Sequence, residues 1–393
     1  MGEAVLIVGG GPVGLALAWR LARAGVLVRL FEASPAIPDQ LRASTFHPPT
    51  LDMLEEDGIA PELIAAGRVT PDWQIRILET GERVVFDLAA LEGLTAHPYR
   101  LQCHQRELSA ALLRRLERLG VAPRFSAQVA SVGADEDRAW VELSDGERIS
   151  GRFVVGCDGA RSLTREAIGA VFEGAAYPET TVLATTHFAF EDAFEGLSGV
   201  NYIWKQGGTF SLLRLPDLWR CSFLAQPGVE GNAAAEDAAL AEHLAQILPG
   251  RVDEVTIEER RPYRVHARLA DRWRRGRLLI AGDAAHLNAP KGGMGLNGGV
   301  HDAFELADHL RAVYAGAPIE SLDRYERRRR PVVADEIIAQ ADANRSRMAV
   351  TDPDARRAEL ARLRAIAADP ARARSFLAKS SMLTGLARAR EAA

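Results

Sequence analysis

The chain has 393 residues, 47% of them hydrophobic and 26% charged, with a formal net charge of −5. That composition excludes an intrinsically disordered chain and a disulfide-stapled miniprotein. The charge gives no reason to expect nucleic acid, and the length provides core for two to three domains at about 150 residues each.

Of the 48 basic residues only Lys205, Lys291 and Lys379 are lysine. We read this as a compositional bias toward arginine, and runs such as Arg327–Arg330 as solvated helix faces balanced by Glu320, Asp323 and Glu326. Cys103, Cys157 and Cys221 are far apart and fit no metal or redox spacing, so a reducing compartment, the cytoplasm, is expected and no metal site is. No apolar run approaches the ~18 residues of a membrane span. Residues 4–30 could mimic a signal peptide, but Gly9-Gly10-Gly11-Pro12 interrupts the run.

Residues 4–8 form a short continuous apolar run, as in a parallel strand buried on both faces. Gly9-Gly10-Gly11-Pro12-Val13-Gly14 then matches G-x-G-x-x-G, residues 15–24 have helix-forming composition, and Val26–Phe31 reads as a second strand closing on Glu32. Gly9 permits a tight turn and Gly11 lets backbone amides approach a pyrophosphate. Gly14 lets the helix lie close to the strand, and the helix N-terminus supplies positive potential. Glu32 can accept both ribose hydroxyls of an adenosine, and its charge disfavours a 2′-phosphate. The motif predicts an ADP-containing dinucleotide without separating FAD from NAD.

Residues 73–96 and 173–265 break the strand–helix alternation. Thr181–Phe190, Asn201–Lys205, Thr209–Leu215 and Trp219–Leu224 read as antiparallel strands. They are expected to roof a substrate pocket, with Tyr202, Trp204, Arg214, Trp219 and Arg220 as candidate wall residues. A helix over 236–247 is expected outside that sheet. Phe153–Gly156 reads as a buried strand followed by Cys157-Asp158-Gly159-Ala160-Arg161-Ser162. Leu278–Ala281 is another, ending in Gly282-Asp283-Ala284-Ala285-His286. A glycine-rich loop, Pro290-Lys291-Gly292-Gly293-Met294-Gly295-Leu296-Asn297-Gly298-Gly299, leads through Asp302 into an apolar helix. Gly293–Gly298 also spells G-x-G-x-x-G, but about ten residues and Pro290 separate it from its strand, so no second nucleotide domain is implied. After Pro331 the chain reads as helical.

From about residue 4 to about residue 335 these three motifs, in order, resemble the FAD-dependent aromatic hydroxylases, single-component flavoprotein monooxygenases of the p-hydroxybenzoate hydroxylase type. The resemblance implies an α/β fold. A Rossmann-like FAD-binding domain with a parallel sheet would comprise 1–72, 97–172 and 266–335. An antiparallel-sheet substrate domain would comprise 73–96 and 173–265, and 336–393 would form a C-terminal helical segment that buttresses the FAD domain or pairs with a second subunit. It implies that Gly9–Gly14, with Pro12 and Val13, hold ADP, and that Asp158-Gly159 serve FAD and NAD(P)H. Gly282-Asp283 would meet the ribityl hydroxyls, Arg42 would lie near the pyrophosphate, and Gln105 would touch the flavin side of the cofactor. Gly293, Gly295, Leu296 and Asn297 would stabilise anionic reduced flavin through amides at a helix N-terminus.

Three positions depart from the family pattern. Ala289 precedes a single Pro290 where two prolines are frequent, Met294 replaces a frequent glutamine, and Glu305–His309 replaces Asn-Leu-x-Trp-Lys. The last two could tune substrate access. The implied reaction is NADH- or NADPH-dependent hydroxylation of a phenolic or other activated ring by O₂, through a flavin C4a-hydroperoxide. Pro290 and Gly295 are expected beside that chemistry, with His47, Tyr202 and Arg220 as pocket candidates and His286 as an orienting residue. Partners would be the small aromatic substrate, O₂ and NAD(P)H, with the protein a monomer or homodimer. The competing readings are a same-fold reductase or oxidase acting on a non-aromatic substrate, and a FAD-binding sensor. The W-x-W-x-I-P element of halogenases is absent.

Overall fold

The computed structural model describes residues 3–38, 42–225, 229 and 231–392. Val5–Val8 is an interior strand of a five-stranded sheet, paired in parallel with the edge strand Val28–Phe31 on one side and with the central strand Phe153–Gly156 on the other. Leu278–Ile280 extends it in parallel and Arg274–Arg275 closes the edge antiparallel. Val5, Leu6 and Ile7 are fully buried, which explains why this strand is apolar at every position and not at alternate ones. The helix Pro12–Arg23 packs on it and on the long helix Met294–Tyr314.

Between these elements Val129–Ala134, Ala139–Leu143 and Arg148–Gly151 form an antiparallel meander that the sequence reading does not anticipate. A small sheet of Thr45–Phe46, Arg100–Gln102 and Arg68–Thr70 sits beside the helix Gln105–Arg118.

The roof is an eight-stranded sheet. Its order is His286–Leu287, Glu259–Ala270, Phe172–Thr186, Trp219–Leu224, Gly208–Arg214, Val200–Lys205, Asp72–Ile77 and Arg83–Asp87. All neighbours are antiparallel except Val200–Lys205 with Asp72–Ile77. The strand expected at Thr181–Phe190 begins earlier, at Phe172, and gives way to a 3-10 turn at Phe190–Asp192. Phe172–Thr186 and Glu259–Ala270 pair over their length with one register shift between Ala176 and Thr180, so a continuous ribbon joins the dinucleotide unit to the roof.

Register decides which roof side chains face the interior. Trp73 pairs with Val200, Ile75 with Tyr202, and Leu213 with Arg220, so these six share one face. The opposite face, with Ile203, Phe210, Leu212, Cys221 and Phe223, is covered by the helix Asp237–Ile247.

The C-terminal helices do more than buttress the dinucleotide unit. Leu383–Glu391 packs on Asp323–Val332, but Pro353–Ala367 and Pro370–Ser380 cover the Trp73 face of the roof. Leu360, Leu363, Ile366 and Leu377 join Trp73, Ile75, Phe86 and Trp204 in one core. Both helices start at an aspartate cap followed by proline, with Asp352 accepting from the Ala355 amide and Asp369 from the Arg372 amide. Pro331 lies inside the helix Asp323–Val332, and the backbone widens into a π-helical stretch at Val333–Ile338. A proline without an N–H disrupts the regular ladder in this way. No described helix is long and apolar enough to cross a membrane.

Candidate active site

The three glycines of the first motif have separable roles. Gly9 has φ +103°, and a Cβ there would lie 2.3 Å from the Cys157 carbonyl oxygen. A Cβ at Gly14 would lie 2.0 Å from the Gly9 carbonyl oxygen, so the helix and the strand turn touch through this position. A Cβ at Gly11 would meet nothing within 4 Å. Gly9 and Gly14 are therefore required by packing, whereas Gly11 faces open cleft. Gly11 is also the N-cap of Pro12–Arg23 and offers no side-chain cap. The first amides of that helix remain available to a ligand. Val13 packs its methyls against Gly282 and Gly299, tying this helix to the third motif.

Glu32 is held by both carboxylate oxygens. The Gly10 amide donates to Oε2 at 2.7 Å and the Ser34 amide to Oε1 at 2.8 Å. These bonds fix the carboxylate over the cleft and leave lone pairs for sugar hydroxyls. Gly9–Pro12, Glu32, Arg42, Gln105, Asp158 and Gly159 line one cleft of about 320 Å³.

Asp158 lines the cleft and braces its wall. Its Oδ1 accepts from Ser162 Oγ (2.5 Å) and its Oδ2 from the Thr164 amide (3.1 Å) and hydroxyl (3.2 Å), fixing the turn into the helix Leu163–Ile168. Arg165 joins the second and third motifs by donating to the carbonyls of Ala160 and Ala284. Asp283 is reached by solvent, yet protein atoms crowd its flanks. This desolvation pushes its carboxyl above the usual range, while His286 and Arg42 pull it back. Among the described residues no hydrogen-bond donor meets it, which leaves its oxygens to a ligand's hydroxyls.

Under Gly282 lies a buried ion network. Asp302 accepts from Arg329 Nε (2.8 Å), His286 Nε2 (2.7 Å) and the Gly282 amide (3.2 Å). The Arg329 and His286 partners hold the Asp302 carboxyl below its usual range against the opposing effect of burial. His286, stacked on Trp273, therefore orients the Gly-Asp turn through Asp302.

The glycine loop is fastened from two directions. His47 donates from Nε2 to the Gly292 carbonyl at 2.7 Å. Asn297 accepts from the His47 amide (2.9 Å) and donates to the carbonyls of Thr45 (2.9 Å) and Gly293 (2.6 Å). Gly293 caps the helix Met294–Tyr314 in the left-handed region, φ 69°. The orphan amides at this end are therefore those of Met294, Gly295 and Leu296. Asn297 departs from expectation: it is the fourth helical residue, its amide belongs to the helical ladder, and its side chain is fully engaged within the protein. Pro290 is exposed and accepts from the Gly293 amide, so it shapes the loop turn at its rim.

A second, narrower cavity lies between this loop, the roof and the C-terminal helices. Trp73, Arg100, Tyr202, Lys291, Gly292, Arg347 and Phe376 are among its walls. Trp73 and Tyr202 meet edge to face at 6.1 Å, and Trp73 lies 6.2 Å from Phe376. Arg220 approaches from the same roof face and donates to Ser44 Oγ at 3.0 Å. Sequence reasoning brought Tyr202 here and missed Arg100, Lys291, Arg347 and Phe376; Arg220 shares the roof face without lining the cavity. Trp219 and Arg214 instead flank Glu191 on the far face. His187 is exposed and donates to the Asp217 carbonyl.

These features fit FAD: an open Gly11 cradle at a helix N-terminus, a braced Glu32, an undonated Asp283 and free loop amides at Gly295 and Leu296. The comparisons agree. The model of the FAD binding domain family matches residues 3–340. Para-nitrophenol 4-monooxygenase of Pseudomonas sp. (strain WBC-3) is 34% identical over 365 residues, covering 89% of this chain and 88% of its own. The crystal structure of p-nitrophenol 4-monooxygenase from Pseudomonas putida DLL-E4 superposes with a TM-score of 0.90 at 32% identity, covering 98% of each chain. Aklavinone-11 hydroxylase, solved as a ternary complex with FAD and aklavinone, gives 0.78 at 30% identity over 88% of this chain and 69% of that one.

Proposed function

The chain belongs to the FAD binding domain family and is an FAD-dependent aromatic monooxygenase, and from that premise we propose the reaction and the residue roles. The substrate is a phenolic small molecule, and NADH or NADPH and O₂ are consumed. One oxygen atom enters the ring and the other leaves as water, with the two electrons drawn from the nicotinamide. Bound FAD supplies electron storage and oxygen activation.

The observation that carries this reading is the cavity lined jointly by Tyr202 of the roof and by Lys291 and Gly292 of the glycine-rich loop. Gly9, Gly11, Pro12, Val13, Gly14 and Glu32 would hold the ADP half, with Arg42 beside it. Gly282 and Asp283 would hold the ribityl chain, and Gln105 would line the flavin side. Asp158 and Gly159 keep the cleft wall in shape. Gly295 and Leu296 would stabilise negative charge on the reduced ring through their unpartnered amides and the helix dipole. Pro290, Gly293 and Asn297 set the loop's conformation, and His47 holds it. Tyr202 and Arg220 position the ring from the roof, and the walls from Phe376 and Arg347 exclude water.

Free thiols at Cys103, Cys157 and Cys221 support a cytoplasmic setting, and we propose a monomer or homodimer there. The test is NAD(P)H and O₂ consumption across a panel of phenols, with product mass read in parallel. Stimulated consumption with one added oxygen supports the hydroxylase. Peroxide as the sole oxygen product with every phenol favours an oxidase or reductase on a non-aromatic substrate.

A further inference from the structure

Buried cations in this chain come in two kinds. Arg329 is 1% exposed and is matched by the Asp302 carboxylate at 2.8 Å. Arg100 is 3% exposed, and no described carboxylate pairs with it. Its Nε has no hydrogen-bond partner, and its guanidinium lies over Trp73, 5.3 Å from the ring centroid. Its guanidinium donates to the Tyr202 hydroxyl but meets no carboxylate, and a buried charge without a counter-charge is unfavourable, so a counter-charge is missing from the protein at this point.

Lys291 repeats the pattern in the same cavity. It makes no side-chain hydrogen bond among the described residues, and the acid nearest to it electrostatically, Glu179, is already paired with Arg345 at 2.7 Å. Its backbone carbonyl accepts from Asn344 Nδ2 at 3.4 Å, which ties the residue to the C-terminal helix. Arg347, the third cation in the wall, is neutralised by Glu359 at 2.9 Å. No aspartate or glutamate lines the cavity. The walls are thus two unmatched positive charges beside the indole of Trp73 and the ring of Phe376.

We propose that Arg100 and Lys291 form an anion clamp that binds the substrate as a single-ring aromatic anion, a phenolate or a ring carboxylate, with its ring against Trp73 and Phe376. The fate of that ring rests on the hydroxylase reading; its binding does not. About 20 Å³ of the cavity is open, room for a water. A ring enters by displacing the unbranched Met348 side chain while the Lys291 ammonium turns onto the anion, and a fused polycycle is disfavoured. The clamp also gives the bound phenol its reactive form, because an oxyanion donates electron density into the ring that is to be oxygenated.

The probes are 4-nitrophenol, its uncharged methyl ether 4-nitroanisole, and 4-nitrobenzoate, titrated into FAD-loaded protein. The absorbance of bound 4-nitrophenol reports its ionisation. The clamp predicts 4-nitrophenol bound as the anion, its apparent pKa lowered by about one unit or more, which is tenfold in the ionisation constant. The ether should bind at least about tenfold more weakly, the scale of one charge-assisted hydrogen bond. Tighter 4-nitrobenzoate than 4-nitrophenol identifies a carboxylate as the natural anion, and the reverse order identifies a phenolate. Arg100→Met and Lys291→Met should each remove the preference for anion over ether while FAD content is retained, and Arg100→Lys should keep part of it. Arg100→Met should also melt no lower than the parent, since it removes an unmatched buried charge. Equal affinity for ether and phenol, or an intact anion preference in Arg100→Met, overturns the clamp. Anion binding without oxygen transfer overturns the hydroxylase reading and leaves the clamp standing.

Discussion

His47 donates from Nε2 to the Gly292 carbonyl at 2.7 Å, fastening the entry to the helix Pro48–Glu56 onto the glycine-rich loop. The bond fixes the tautomer, and burial together with nearby Arg100 pushes the imidazole pKa down to about 3. His301, bonded to Thr50 Oγ1 at 2.9 Å, is pushed down to about 3 chiefly by burial. Both rings are neutral in the folded protein, whereas their counterparts in the unfolded chain take up a proton near pH 6.5. The folded pKa is depressed, so the stability these histidines contribute is complete above about pH 6.5 and is lost as pH falls toward 3. Each contributes a slope of about 1.4 kcal/mol per pH unit within that window. Melting temperature against pH checks this, and His47→Gln should flatten the slope.

The glycines of the first motif separate cofactor contact from packing. Gly11→Ala has open space and an ordinary φ of −71°. It should leave the apoprotein's melting temperature nearly unchanged while weakening FAD binding. Gly14→Ala drives a methyl into the Gly9 carbonyl and should lower stability by several kcal/mol, as overpacking at unyielding backbone does. If Gly11→Ala bound FAD like the parent, the cradle would be misplaced.

Glu32 lines the cleft with its carboxylate braced by two amides, and Asp283 carries an exposed carboxylate in the third motif; both are proposed to accept from cofactor hydroxyls. A charge-assisted hydrogen bond contributes about 1.5–3 kcal/mol, so Glu32→Ala and Asp283→Ala should each weaken FAD binding at least about tenfold. Flavin fluorescence during titration of apoprotein measures this. Glu32→Ala should also cost stability, because it leaves the Gly10 and Ser34 amides without acceptors.

The three motifs carry the dinucleotide half of the fold in plain view, because strands buried on both faces and glycine turns at backbone contacts leave local signatures. The meander over residues 129–151 was also signalled, by the Asp145-Gly146 turn between alternating strands, but its position inside an expected strand–helix alternation hid it. Arg100 was not legible. It stands on a three-residue strand with no motif around it, and its meaning comes from what fails to surround it. Phe376 and Arg347 reach the cavity only because the C-terminal helices fold back over the Trp73 face. Composition read as bias concealed Lys291, although a lysine is itself the departure in a chain that otherwise uses arginine.

Lys291 gives the pocket a pH dependence of definite sign. Desolvation and the neighbouring Arg345 lower its pKa to about 8, against the opposing pull of Glu179. Arg100, Arg347 and Tyr202 face the same cavity. As pH rises through about 8 the amine loses its charge, and affinity for an aromatic anion should fall. 4-Nitrobenzoate stays ionised throughout, so its dissociation constant should be flat below pH 8 and rise above it. Lys291→Met should be flat on both sides.

The most direct measurement is the origin of the transferred atom. Turnover of a phenol with NAD(P)H under isotopically labelled O₂ should give a product carrying one labelled oxygen, and turnover in labelled water should give none. Label entering from water, or peroxide as the only oxygen product with every phenol that stimulates NAD(P)H consumption, would contradict the account.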